Sequence, residues 1–261
     1  MAPSVLVTGG TGTLGRRVVP RLREAGCAVR VISRSPQDGA DGVEFVVGDL
    51  ATGDGVAAAV KGIDVVVHCA GTAKGDELKT DTLLRAASAA GVHHLVYISV
   101  VGAERLPVVS RIDRAMFGYY AAKRASEQLI ETSGIPFSIL RATQFQESML
   151  AVVKQLARLI VVPAPTGSRF QPIATDEVAD RLVELALGRP AGLVPEMGGP
   201  RVYLLADLVS SYLATTGRRR PFISMRAPGK AAAALRDGAN LTPDRAVGRR
   251  TWEQFLAQQV G

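Results

Sequence analysis

Tyr119 and Lys123 stand four residues apart at the head of a predicted helix over residues 119–132, so their side chains share one helical face. An ammonium beside a phenol favours the phenolate, drawing a group whose pKa starts at about 10 towards the range of a general acid or base. The pairing is uncommon in a chain of 261 residues with six lysines and five tyrosines. Ser99 closes a predicted strand on the carboxyl edge, where open α/β sheets bind their ligands, and its hydroxyl there could polarise a carbonyl beside Tyr119. These residue types suit proton delivery to an oxygen that gains charge as its carbon is reduced.

The N-terminus points to the reductant. SVLV runs into TGGTGTLGR, so a β-type run (Val5, Leu6, Val7) meets Gly9, Gly12 and Gly15, and LGRRVVPRLREAG follows at helical spacing. Strand, glycine turn and helix N-terminus let backbone amides hold a dinucleotide pyrophosphate. Gly9 permits the turn, Gly12 lets backbone approach phosphate, and Gly15 seats the helix closely on the sheet. At the end of the second strand an acidic residue would accept from the ribose of NAD, but this chain has Ser33, Arg34 and Ser35. Arg34 suits a 2′-phosphate, with Arg16 as a second cation, so NADP(H) is favoured over NAD(H). After the third strand, Asp49 is expected at the adenine amino group and Leu50 against its ring. The run HCAGT (68–72) sets Cys69, Ala70 and Gly71 along the path of ribose and nicotinamide. Phe117, Phe145 and Met149 are candidate walls of an apolar substrate pocket.

These residues need a scaffold that gathers strand ends. Strands at 4–7, 28–33, 43–47, 64–68, 95–99 and 137–140 alternate with helices near 13–25, 53–60, 77–90 and 119–132. Gly26, Gly91 and Gly134 punctuate helix ends. The expected fold is α/β, a Rossmann-type doubly wound parallel sheet with a small C-terminal substrate lobe. Residues 1–142 are assigned to the dinucleotide-binding core and 143–261 to a substrate-side lobe packed on it as one compact unit. In the second half, helices are expected near 144–159, 175–187 and 203–216, and RRRPFISM reads as a late strand. Thr175 is the expected N-cap of the 175–187 helix, while residues 161–173 read as irregular. Thr251 and Gln254 form a capping box for a terminal helix anchored by Trp252.

Composition narrows the classes of function. The net charge is +7 and the pI about 9.8, with arginine clusters at 218–220 and 249–250. No basic stripe is interleaved with aromatics, so these clusters read as solvated faces and no nucleic-acid partner is expected. A basic surface would attract an anionic cofactor or substrate over long range. No apolar run reaches the roughly 18 residues of a membrane span, and no membrane partner is expected. The start, MAPSVLV, lacks the basic region of a signal peptide, and Cys27 and Cys69 read as free thiols in a reducing cytoplasm. His68, His93 and His94 lack metal-ligand spacing, so no metal is expected. The absence of a GxSxG elbow and of a Walker lysine argues against hydrolase and P-loop chemistry.

TGGTGTLGR, GDL, HCAGT, LVYISVVGA, YYAAKRASEQLIETSGIPFSILRATQF and FQPIATDEVADRLVELA together resemble the atypical short-chain dehydrogenase/reductase superfamily, most closely its NmrA-like branch. The resemblance implies that Gly9, Gly12, Thr13, Leu14 and Gly15 line the pyrophosphate and that Ser99, Tyr119 and Lys123 match the active-site triad. It also sets Ala142, Thr143 and the residues to Phe145 beside the nicotinamide, although relatives often carry proline where this chain has Ala142-Thr143. The expected function is an NADP(H)-dependent oxidoreductase passing hydride to a small carbonyl, quinone or conjugated acceptor. Tyr119 would supply the proton, Ser99 hold the oxyanion, and Lys123 bind the ribose. Two alternatives are a non-catalytic NADP(H)-binding redox sensor and a cofactor-retaining epimerase or dehydratase. The partner is a small-molecule substrate, and a homo-oligomer is compatible with the sequence.

Overall fold

The computed structural model describes residues 2–37, 42–71 and 75–260. In chain order the elements begin with β1 (Ser4–Thr8), α1 (Gly15–Glu24), β2 (Ala28–Ser33), β3 (Val43–Val47), α2 (Val56–Val60), β4 (Val65–His68) and α3 (Asp76–Ala89). They continue with β5 (His94–Val100), α4 (Arg111–Thr132), β6 (Phe137–Ala142), α5 (Gln146–Leu156), β7 (Val162–Pro165), β8 (Arg169–Phe170) and α6 (Thr175–Leu187). The last are β9 (Gly192–Leu193), β10 (Tyr203–Leu204), α7 (Leu205–Thr215), β11 (Phe222–Met225), α8 (Lys230–Arg236) and α9 (Trp252–Val260).

Seven strands form one sheet in the order β3-β2-β1-β4-β5-β6-β9. The pairs β1–β2, β1–β4, β2–β3, β4–β5 and β6–β9 are all parallel. Every residue of β4 and β5 is buried, which explains why their sequences are apolar at consecutive positions instead of alternating. This is the doubly wound Rossmann-type fold expected from the sequence. The chain order reverses between β1 and β4, and ligands of open α/β sheets bind beyond the carboxyl ends of such a strand pair.

One compact unit comprises Met1–Ser99, Ala122–Leu140 and Asp176–Pro195. Its core gathers Leu6, Val66, Leu83, Leu95, Ile130 and Ile139. The most consequential difference from expectation is α4, which begins at Arg111 instead of near residue 119. Ser110 and Asp113 account for the early start. The Ser110 hydroxyl accepts the Asp113 amide at 3.0 Å, and the Asp113 carboxylate accepts the Ser110 amide at 3.1 Å. This is a capping box with Asp in the place of Glu or Gln. Tyr119 and Lys123 therefore lie within the helix and not at its head, although their spacing on one face is unchanged.

The second unit comprises Val100–Ala121, Arg141–Thr175 and Glu196–Gly261. Met149, Val153, Leu208, Leu213, Trp252 and Phe255 form one of its cores. Residues 161–173, read as irregular, contain β7 and β8; β7 pairs in parallel with β11, and β8 pairs antiparallel with β10. The proline-rich run VPAP carries no alternating pattern, so only the long-range partner makes it a strand. The capping box at α9 is present, with the Thr251 amide donating to Gln254 at 2.9 Å and the Gln254 amide to the Thr251 hydroxyl at 3.3 Å. Buried Gln171 ties this unit together. It donates to the Gly199 carbonyl at 2.8 Å and accepts the Thr242 amide at 2.9 Å.

Candidate active site

The turn after β1 and the turn after β4 meet at the switch point. Gly9 has φ of +67°, and a Cβ there would lie 2.7 Å from the Ala70 amide nitrogen. A Cβ on Gly15 would lie 2.2 Å from the Gly9 carbonyl oxygen, so α1 can begin this close to the turn only with glycine. Among the described residues, the only contact within 4 Å that a Cβ on Gly12 would meet is the Gly9 carbonyl oxygen, at 3.2 Å, and Gly12 and Thr13 are exposed. The result is a bare backbone concavity ahead of a helix N-terminus, and it fits a dinucleotide pyrophosphate.

Behind this turn lies a buried polar chain. The Ala70 amide donates to the Thr8 hydroxyl at 3.3 Å, and that hydroxyl lies 2.6 Å from His68 Nδ1. His68 Nε2 lies 3.2 Å from the Thr80 hydroxyl, which donates to the Asp76 carbonyl at 2.8 Å. Because Thr80 spends its proton on Asp76, hydrogen-bond balance assigns the imidazole proton to Nε2. Burial, with Lys123 and Lys79 adding to it, pushes His68 down to about 3, so the ring is neutral near pH 7.

Lys123 is 3% exposed. Its Nζ donates to the Ile98 carbonyl at 3.2 Å, lies 3.5 Å from Asp76 Oδ2, and stands 4.8 Å from the centroid of the Tyr97 ring. A Cβ on Gly71 would come within 3.2 Å of the same nitrogen, so the ammonium reaches the turn after β4. Tyr97 also stacks on His68, with ring centroids 5.2 Å apart. Burial pushes the Tyr97 phenol up, which keeps it protonated and unsuited to acid–base work despite its nearness to Lys123. Tyr119, one turn before Lys123 on α4, is 39% exposed and packs edge-on against Tyr120. The Ser99 hydroxyl is buried without a hydrogen-bond partner among the described residues, and Ser99 is the penultimate residue of β5.

The other candidates fall into two groups. Arg16 and Arg34 are exposed, and neither pairs with a carboxylate among the described residues. Ser33 accepts the Ser35 amide at 3.4 Å. Cys69 and Ala70 are half-buried and Gly71 is exposed, while Thr72 lies outside the described residues. Burial pushes the Cys69 thiol up to about 12, so it does not supply a thiolate. The remaining side chains are engaged in structure. Asp49 accepts the Ala51 amide at 2.8 Å in its own turn, and Leu14 and Leu50 are buried. Ala142 and Thr143 are 2% exposed, and the Thr143 hydroxyl accepts the Gly199 amide and donates to the Gln171 carbonyl. Met149 is a core side chain, Phe117 packs on the cluster of Tyr120 and Leu235, and Phe145 is half-buried. Sequence reasoning missed Asp76, Thr80 and Tyr97; the only local hint was an acidic first turn in α3.

Residues 9–187 match the family described as NAD(P)H-binding. The chain belongs to that family. The match spans the glycine turn, the β4 turn, Ser99, Tyr119 and Lys123, and the resemblance to the NmrA-like atypical short-chain dehydrogenase/reductases holds. A relative of the NAD(P)H-binding chain is the (4-alkanoyl-5-oxo-2,5-dihydrofuran-3-yl)methyl phosphate reductase of Streptomyces griseus. It is 32% identical over 179 residues, 67% of this chain and 59% of that one. A photosystem II assembly factor of Synechocystis is 27% identical over 158 residues, 56% of this chain and 46% of that one. The chain thus spans about half the length of these curated relatives. Among solved structures, an NADPH-dependent quinone oxidoreductase of Escherichia coli complexed with NADPH shares the fold. Its TM-score is 0.80 at 18% identity, covering 98% of this chain and 100% of that one. None of the described helices is long and apolar enough to cross a membrane.

Proposed function

We propose that this protein is an NADP(H)-dependent reductase of a small carbonyl, quinone or conjugated acceptor. The observation that carries the reading is the buried Lys123 ammonium, held by Ile98 and Asp76 beside the β4 turn and one helical turn from the accessible Tyr119. When bound, the reduced nicotinamide supplies a hydride, so the acceptor gains two electrons and the cofactor is oxidised. The glycine turn binds the pyrophosphate, and Arg34 and Arg16 pair with the 2′-phosphate. Lys123 holds the ribose hydroxyls and favours the Tyr119 phenolate after proton transfer. Tyr119 delivers the proton to the reduced oxygen, and the Ser99 hydroxyl, which has no partner among the described residues, donates to that oxygen as charge develops. Residues 143–261 serve as the substrate side.

Replacing Tyr119→Phe tests this reading. NADPH oxidation with a quinone or conjugated ketone acceptor should fall by about 10²–10⁴-fold while NADPH binding, followed by fluorescence, stays unchanged. The assembly factors among the relatives favour a second reading, a cofactor-dependent binding protein. That reading leads if Tyr119→Phe is silent in every turnover assay while Gly12→Val removes the partner interaction.

A further inference from the structure

The parallel pairing of β7 with β11 places two distant parts of the second unit side by side. Phe222 registers with Val162, and the Val162 amide donates to the Pro221 carbonyl at 2.9 Å. Residues 158–161 and 218–221, which lead into the two strands, therefore lie together at one end of this small sheet. The first segment reads Arg-Leu-Ile-Val and the second Arg-Arg-Arg-Pro. Ile160 is 83% exposed, the highest of any large apolar side chain described, with Ile223 and Met225 at least half exposed and Leu159, Val161 and Phe222 exposed as well.

Charge on this surface has one sign. No Asp or Glu occurs in residues 148–175 or 208–236. Arg158, Arg218, Arg219, Arg220 and Arg226 have no carboxylate partner among the described residues. Arg218, Arg219 and Arg220 line a cavity of about 580 Å³ with Leu213, Ala214 and Phe222. The Arg220 Nε is buried with no acceptor among the described residues, so this guanidinium is not neutralised within the chain. Arginines around exposed aliphatic side chains at a loop tip combine attraction to negative headgroups with shallow apolar insertion.

We propose that this face docks on an anionic lipid bilayer, with a lipid phosphate seated among Arg218, Arg219 and Arg220 and the Leu159–Val161 tip entering the headgroup layer. A second copy of the chain is a poor occupant, because it would bring the same unpaired guanidiniums against these. The inference is independent of the reductase reading.

Co-sedimentation of the full chain with vesicles of phosphatidylcholine alone, and of equal parts phosphatidylcholine and phosphatidylserine, tests the proposal. Binding should be confined to the anionic vesicles and weaken as salt rises. Each arginine near a membrane surface contributes about fivefold in affinity, so combined Arg218→Gln, Arg219→Gln and Arg220→Gln should reduce binding about a hundredfold. Ile160→Ser should weaken binding further without changing its salt dependence. The proposal is overturned by equal binding to both vesicles, by no binding, or by anionic binding that survives the triple replacement. Light scattering that shows a dimer broken by Ile160→Asp would give the face to self-association. Immobilised poly-glutamate that holds the chain as tightly as the vesicles do, with Ile160→Ser silent, would give it to an acidic protein.

Discussion

In the first unit a chain of buried polar groups ends at the Lys123 ammonium, whereas in the second, buried amides and hydroxyls tie one loop to another. Thr8 and His68, at the ends of β1 and β4, and Thr80 and Asp76, on α3, form a chain from the glycine turn to Lys123. Gln171 and Thr143 join residues 141–175 to residues 196–242, and Asp113 accepts the Ala231 amide at 3.1 Å. The buried network of the first unit thus reaches from the glycine turn to Lys123, and that of the second closes distant segments of the chain on one another. The same satisfied hydrogen bonds do different work because only those of the first unit end beside a glycine concavity.

The sharpest way to break this contrast is Gln171→Leu. It removes the partners of the Thr242 amide and the Gly199 carbonyl, both deep in the second unit. Urea unfolding should show a loss of about 2–4 kcal/mol, with the NADPH dissociation constant of the folded fraction unchanged. A parallel loss of NADPH affinity would show that this network serves binding too.

Acid titration probes the other network. His68 sits at about 3, below its ordinary value of 6.5, so the unfolded chain takes up the proton first. Its contribution to stability is complete above about pH 6.5 and is lost progressively as pH falls towards 3, by up to a few kcal/mol. His68→Gln should flatten the stability profile across that window in thermal melts. An unchanged profile would assign the acid sensitivity to other groups.

The smallest effect is expected at the edge of the concavity. Arg34→Ser should reduce the preference for NADPH over NADH by about tenfold in paired titrations, with NADH affinity held. Equal losses for both cofactors would mean that Arg34 supports the loop and does not read the 2′-phosphate.

The scaffold was legible because each βα step is local. Val5–Val7 and the glycines that follow lie within one short run, so periodicity and turn chemistry suffice. The start of α4 after Ser110 is hard to read from sequence because Asp113 stands where a capping box usually has Glu or Gln. VPAP carries two prolines and no alternation, so only its β-partner at Phe222–Met225 makes it a strand. Leu50 and Met149, expected at the adenine and in the substrate pocket, are both buried among core side chains, a packing that their local sequence does not specify.

The strand and helix runs, the glycine turn and the Tyr119–Lys123 spacing follow from the order of residues, because each depends on neighbours within a few positions. The neutral state of His68, the Asp76–Lys123 contact and the gathering of Arg158 with Arg218, Arg219 and Arg220 depend on residues far apart in the chain. Those arginines read as scattered solvated charges until β7 and β11 pair. Burial and proximity set protonation and surface charge, and both are properties of the folded chain.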